Sequence, residues 1–274
     1  TMMQLTYLTF TAPRRDDDAF ASYKNRNKAA LKNQELNPNV AFSDSIQAGI
    51  YMKHPRIIRI KADMVDQMDY DKILSMYQDR FKDASDFTFI FVGNVDVEKM
   101  KPVIAEYLGA LPAVNRKETF KDNKIEMRQG IYKNEFTKQQ ETPKASVFAF
   151  YNGDCKYDLR NNLLLSMTSQ ILDLVYTEKV REDEGGTYGV YVGGTLQKYP
   201  KEKAILQIIF DTAPEKKEKL MKIIFREIDN ITKTGPSEAN LNKVKEYMLK
   251  KHTEDLKENS YWLGSIDEYL YTGM

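Results

Sequence analysis

The chain is 274 residues long, 42% hydrophobic, 11% aromatic and 30% charged, an ordinary globular composition that excludes disordered, collagen-like and low-complexity classes. Its 41 Lys+Arg set against 40 Asp+Glu leave a formal charge of +1, so it lacks the overall basic field that drives nucleic-acid binding, and no nucleic-acid partner is expected. A single cysteine, Cys155, excludes an intrachain disulfide, and no apolar run reaches the roughly 18 residues of a membrane span.

In chain order, Met2, Met3, Leu5, Leu8 and Phe10 read as part of an amphipathic helix that starts abruptly, and residues 1–5 lack the basic and apolar regions of a leader. Asp16 is a good N-cap for a helix through about Gln34, with Asp17 and Asp18 favourably placed against its dipole. Asn37-Pro38-Asn39 is expected to stop that helix. A shorter one follows from about Ser43 to Met52, then a connection through His54-Pro55-Arg56, then a helix from Tyr70 to Lys82. Phe87 to Val92, aromatic and β-branched and ended by Gly93-Asn94, is expected as a buried strand, and Asp96 caps a helix to about Gly109. Residues 113–130 are polar and aperiodic and read as a linker, so residues 1–124 and 125–274 are taken as two domains.

The second part opens with two candidate strands, Ile131 to Thr137 and Ala145 to Tyr151. A long helix from Asp158 to Arg181 follows, in which Leu163, Met167, Ile171 and Val175 recur every fourth position as one buried stripe. Thr187 to Leu196 and Ala204 to Phe210 are expected as a strand pair joined through Tyr199-Pro200-Lys201-Glu202. Pro214-Glu215 starts a helix to about Ile231, Gly235-Pro236-Ser237 breaks it, and a last long helix runs from Glu238 to about Lys257. The order strand then helix occurs in both parts. Two related α+β domains would explain this echo, and so would chance.

Metal hydrolases need two or three imidazoles or carboxylates at fixed spacing, and the two histidines, His54 and His252, have no such company. His54 precedes a proline and sits in an extended or turn segment, and His252 falls near the stripe Leu241, Val244, Met248 and Leu256, where it reads as a packed or capping histidine. Gly185-Gly186 leads from a helix into a strand, which suits a helix C-cap rather than a phosphate loop. Cys155 reads as a surface turn thiol. The chemically suggestive stretch runs from Val180 to Val190: Arg181 ends a helix, Tyr188 opens a strand, and a tight reversal brings both toward one rim. They either serve the helix dipole and pack on the sheet, or form a donor pair for a peptide carbonyl and a developing oxyanion.

Pro13-Arg14-Arg15-Asp16, Asn37-Pro38-Asn39 through His54-Pro55-Arg56, Phe91-Val92-Gly93-Asn94-Val95-Asp96 with Tyr107-Leu108-Gly109-Ala110-Leu111-Pro112, and Arg181 to Tyr188 recur here in order, with Asn259-Ser260-Tyr261-Trp262 trailing. Together they make the whole chain resemble the C-terminal half of a pitrilysin-family (insulinase-like) zinc metallopeptidase of the bacterial periplasmic type. The resemblance implies an α+β fold of two similar domains, each a mainly antiparallel sheet packed on helices. The first would be an incomplete third domain of a four-domain clamshell, and the second a fourth domain, cut short at its end. It further implies proteolysis, with the peptide substrate enclosed against an N-terminal catalytic half that carries an inverted His-x-x-Glu-His zinc motif. This sequence has no such motif, so zinc and its ligands are expected in the full-length enzyme and not in this chain, which is expected to be inactive alone. Arg181 and Tyr188 match the family's arginine and tyrosine, seven positions apart, which implies that Arg181 orients substrate and Tyr188 donates to the oxyanion. The alternative is a noncatalytic structural or partner subunit of the same fold. A periplasmic location is likewise implied by the resemblance alone.

Overall fold

The structure, a computed structural model, describes residues 1–182 and 189–274, with Arg181 and Glu182 described by their backbone only. By packing, the chain divides into two units, one of Thr1–Asp44 with His54–Lys124 and one of Ser45–Lys53 with Ile125–Met274.

The first unit is helical. It comprises α1 (Met2–Thr11), α2 (Asp17–Glu35), α3 (Pro38–Ile50) as far as Asp44, a 3-10 turn at Ala62–Gln67, α4 (Tyr70–Phe81) and α5 (Val97–Tyr107). The side chains of Asp16, Asp69 and Asp96 accept from the backbone N–H groups of Ala19, Lys72 and Lys99, so each helix starts where an acceptor satisfies an otherwise orphaned donor. Pro38 opens α3 instead of ending its predecessor: the Asn37 side chain accepts from the Asn39 N–H, and a proline at the first helical position loses no bond it could have made. Phe10 joins the unit by edge-on contacts with Phe81 (5.0 Å) and Phe87 (4.9 Å), while Tyr77 stacks on Phe81 and donates to the Thr9 carbonyl at 2.6 Å. Asp83, nearly buried, accepts from the N–H groups of Ser85, Val114 and Arg116 at 3.0, 3.0 and 2.6 Å, and thereby clasps the chain after Pro112 to the end of α4. The expected strand Phe87–Val92 has no regular secondary structure and pairs with no strand among the described residues, so its apolar character is spent on aromatic contacts rather than on a ladder.

The second unit is the α+β part. Its sheet has the order β1-β3-β2, with β1 (Ala145–Asp154) and β2 (Val190–Gln197) each antiparallel to the central β3 (Lys203–Thr212). Register pairs Phe148 with Ile209 and Tyr191 with the same Ile209, and β2 turns into β3 through residues 198–202, where the Tyr199–Pro200 bond is cis. Helices α6 (Leu159–Tyr176), α7 (Lys217–Thr234), α8 (Glu238–Asp255) and α9 (Asn259–Thr272) complete it.

One buried cluster holds this unit: Leu172, Tyr176 and Val180 from α6 and its extension, Val190, Ile208 and Phe210 from the sheet, and Leu220, Ile223 and Ile224 from α7. Of the expected stripe on α6, Ile171 is buried and Met167 and Val175 are half-buried, while Leu163 is 47% exposed. Toward the sheet the helix presents Leu165, Ser169, Leu172 and Tyr176. Gly194 makes room for that contact. A Cβ there would sit 2.9 Å from Leu165 Cγ and closer still to Ser169 Oγ, so the missing side chain lets the small Ser169 come down onto β2. The expected strand Ile131–Thr137 also fails to form. Tyr132 packs against Gly49 and under the Arg128 guanidinium, Asn134 donates to Ser45 Oγ, and Lys217 pairs with Glu135, so side-chain contacts hold the segment instead of a ladder, with Ile131 left 95% exposed. Helix α9 was not anticipated from periodicity. It is tied down by Tyr157 donating to Glu268, Lys198 donating to the Thr272 carbonyl, and an edge contact of Tyr271 with Tyr199.

Candidate functional site

The rim singled out in the sequence lies between the end of α6 and the start of β2. After Tyr176 the helix widens into a π-helical turn, Thr177–Glu182, an arrangement frequent at functional sites because it re-aims the side chains that follow. Tyr176 is fully buried and donates to the Ile224 carbonyl at 3.1 Å, and burial pushes its phenol well above the usual tyrosine range. Val180, also fully buried, belongs to the same cluster as Val190 at the head of β2. Both ends of the reversal are therefore anchored in one core. Arg181 follows the first anchor directly, and Tyr188 stands two residues before the second.

The Arg181 backbone completes the π turn, but its side chain and the whole of Tyr188 lie outside the described residues. What is described is the scaffold that carries them, together with its charges. Glu178 and Lys179 pair at 3.2 Å on the π turn. On the helix-facing side of β1, burial and the nearby Asp229 carboxylate push the Tyr151 phenol above its ordinary range.

The other candidates resolve as local structure. His54 accepts the Arg56 N–H on Nδ1 at 3.2 Å, and the His252 ring lies edge-on to Tyr261 at 5.8 Å, in the other unit. Cys155 is half-buried, its thiol directed at the neighbouring Lys156 carbonyl at 3.8 Å. Among the described residues, no three His, Cys, Asp or Glu side chains gather into a group able to hold a metal ion. The two histidines of the sequence belong to different units. No described helix is long and apolar enough to cross a membrane.

Residues 67–248 match the family model described as the peptidase M16 inactive domain. Over 282 residues the chain is 22% identical to a zinc protease PQQL-like protein of Arabidopsis thaliana, covering 97% of this chain and 29% of that protein. The crystal structure of the periplasmic protease PqqL from Escherichia coli superimposes with a TM-score of 0.78 at 19% identity, covering 98% of this chain and 29% of that one. The peptidase M16 inactive domain from Pseudomonas fluorescens does so with a TM-score of 0.71 at 20% identity, covering 98% and 63% respectively. The chain thus spans under a third of the PQQL-like relative and of PqqL.

Proposed function

The chain belongs to the peptidase M16 inactive-domain family, the C-terminal half of the pitrilysin-type zinc proteases, and on that premise we propose that it is the substrate-enclosing half of a zinc endopeptidase. In this reading residues 1–124 are part of the third domain of the full architecture and residues 125–274 are the fourth. The zinc, its ligands and the general base belong to a catalytic N-terminal half, and the assembled enzyme works in the periplasm, as does the PqqL structure it resembles.

The observation that carries this reading is the shared anchoring of Val180 and Val190. A donor pair is useful in catalysis only if it is held in place before charge develops, and the burial of Val180 and Val190 in one cluster supports that reading. Arg181 then binds the substrate main chain through its planar fork, and Tyr188 donates its hydroxyl to the carbonyl oxygen as that oxygen gains charge. The second reading, a noncatalytic partner subunit, draws on the absence of His-x-x-Glu-His from this sequence.

One experiment separates the two. A catalytic half bearing the zinc motif is produced separately and assayed on a quenched fluorescent peptide with and without this chain. Cleavage only in the mixture supports the enzymatic half, and its absence, with both halves folded and bound, supports the partner subunit. In the active mixture Tyr188→Phe is expected to lower kcat about 100-fold. An unchanged kcat would remove the oxyanion role.

A further inference from the structure

We infer that α9 is a strap that opens on its own, held shut at its C-terminal end by Lys198, and that its release bares Tyr157 while the core of the second unit stays closed. The device acts within this chain and requires no catalytic role for it.

Helix α9 brings little stability of its own. It is 14 residues long, its N-cap Glu258 makes no side-chain capping bond, and Gly264 stands inside it. A helix of that length is marginal in water unless packing supports it, and an interior glycine weakens it further. Packing adds little here: Thr272 is its one buried residue, whereas α7 buries Leu220, Ile223 and Ile224. Trp262, Leu263, Ile266, Tyr269 and Leu270 all remain exposed.

The contacts at its two ends differ in kind. Near the N-terminal end Trp262 Nε1 donates to the Leu256 carbonyl at 2.9 Å, and Tyr261 meets the His252 ring edge-on. These reach no further than the end of α8. At the C-terminal end the ties run to residues far back along the chain, and they meet at one side chain. The Lys198 ammonium donates to the Thr272 carbonyl and lies 5.8 Å from the centre of the Tyr157 ring and 5.5 Å from that of Tyr199. Those two rings hold the rest of the end: Tyr157 donates to Glu268, and Tyr199 meets Tyr271 edge-on at 5.2 Å.

The carbonyl that Lys198 takes is one that a helix end leaves without an intrahelical partner, at the negative pole of the dipole, and Gly273 beyond it turns left-handed. Lys198 itself directly follows β2, whose Leu196 is buried, so the clip is mounted on the sheet and not on the strap. Losing its charge removes a charge-assisted hydrogen bond and two cation–π contacts together. Tyr157, only 9% exposed, lies just before α6 with its hydroxyl on Glu268 and the ammonium over its ring, so opening the strap uncovers it. None of the residues of the buried cluster comes from α9, so the same opening breaks no contact in the core.

The test uses the full 274-residue chain, read by residue-resolved hydrogen exchange and by acrylamide quenching of Trp262, the single tryptophan of the sequence. Amides of residues 263–272 should exchange at least tenfold faster than those of β3 and α7. Lys198→Met, which keeps the alkyl stem and removes the charge, should speed α9 exchange at least tenfold more, raise Trp262 quenching and leave β3 and α7 as they were. Lys198→Arg should keep α9 near its original rate, and Tyr157→Phe, which retains the ring, should speed it less than Lys198→Met. Nitration mapped by mass spectrometry should reach Tyr157 faster in Lys198→Met than in the unaltered chain. Exchange of α9 in step with β3 would overturn the inference. So would a Lys198→Met variant with unchanged α9 exchange, with protection lost equally across β3 and α7, or with Tyr157 no more reactive, and so would a Lys198→Arg variant as loose as Lys198→Met.

Discussion

The two units of this chain solve the burial problem differently. The second closes one cluster of aliphatic and aromatic side chains between a sheet and two helices, with Tyr176, Val180, Leu220, Leu172, Ile208 and Ile224 almost wholly withdrawn from water. The first has few fully buried side chains, and it relies on ring-to-ring contacts around Phe10, capped helix starts and the Asp83 clasp. Cooperative burial is indifferent to pH and intolerant of lost volume. A structure held by polar clasps and half-exposed rings loses less from any one truncation and responds to proton concentration. The candidate rim, hung between Val180 and Val190, sits on the cooperative side.

That contrast can be broken by experiment, reading each unit by residue-resolved hydrogen exchange so that their stabilities stay separate. Ile208→Ala, in the centre of the middle strand, should cost the second unit about 3–5 kcal/mol through the cavity it leaves. Phe10→Ala should cost the first unit about 2–3 kcal/mol, because Phe81, Phe87 and Phe89 are partly wet already and can close over the space. Equal losses would mean that the first unit hides a core as tight as the second. Asp16→Ala should cost about 1 kcal/mol, confined to α2.

The last test is of pH. The Ser85 side chain first, and then the backbone N–H groups of Arg116, Ser85 and Val114, hold the Asp83 carboxyl well below the usual carboxylate range. Such a lowered value means that the clasp contributes fully above the unfolded carboxylate pKa of about 3.9 and is lost as pH falls further toward the folded value. Acidification below about pH 4 should therefore loosen residues 83–116 before β3, and Asp83→Asn should flatten that response. A parallel loss in both units would remove the distinction.

What could be read directly from the sequence follows the same divide between local and long-range causes. Helix starts were legible because an aspartate at the N-cap acts within four residues: Asp16, Asp96 and Asp158 mark the starts of α2, α5 and α6, and the β2–β3 hairpin was equally plain. Strands depend on a partner elsewhere. Phe87–Val92 and Ile131–Thr137 have the right residues and no ladder, since a pleated segment becomes a strand only when another edge meets it. The stripe on α6 was legible at Met167, Ile171 and Val175, whereas the contact of Ser169 with Gly194, twenty-five positions on, is a long-range pairing that periodicity does not show. The Arg181 and Tyr188 rim was singled out by its composition, and the Arg181 side chain and Tyr188 lie outside the described residues.

The close approach of Gly194 to Ser169 also bears on how this sequence can change over generations. Neither position can grow while the other stays as it is: any side chain at 194 collides with the serine, and a larger residue at 169 collides with the strand backbone. A lineage that escapes the pair must alter both together or slide α6 along the sheet, and such a slide would drag Val180, and with it the start of the rim, out of its socket.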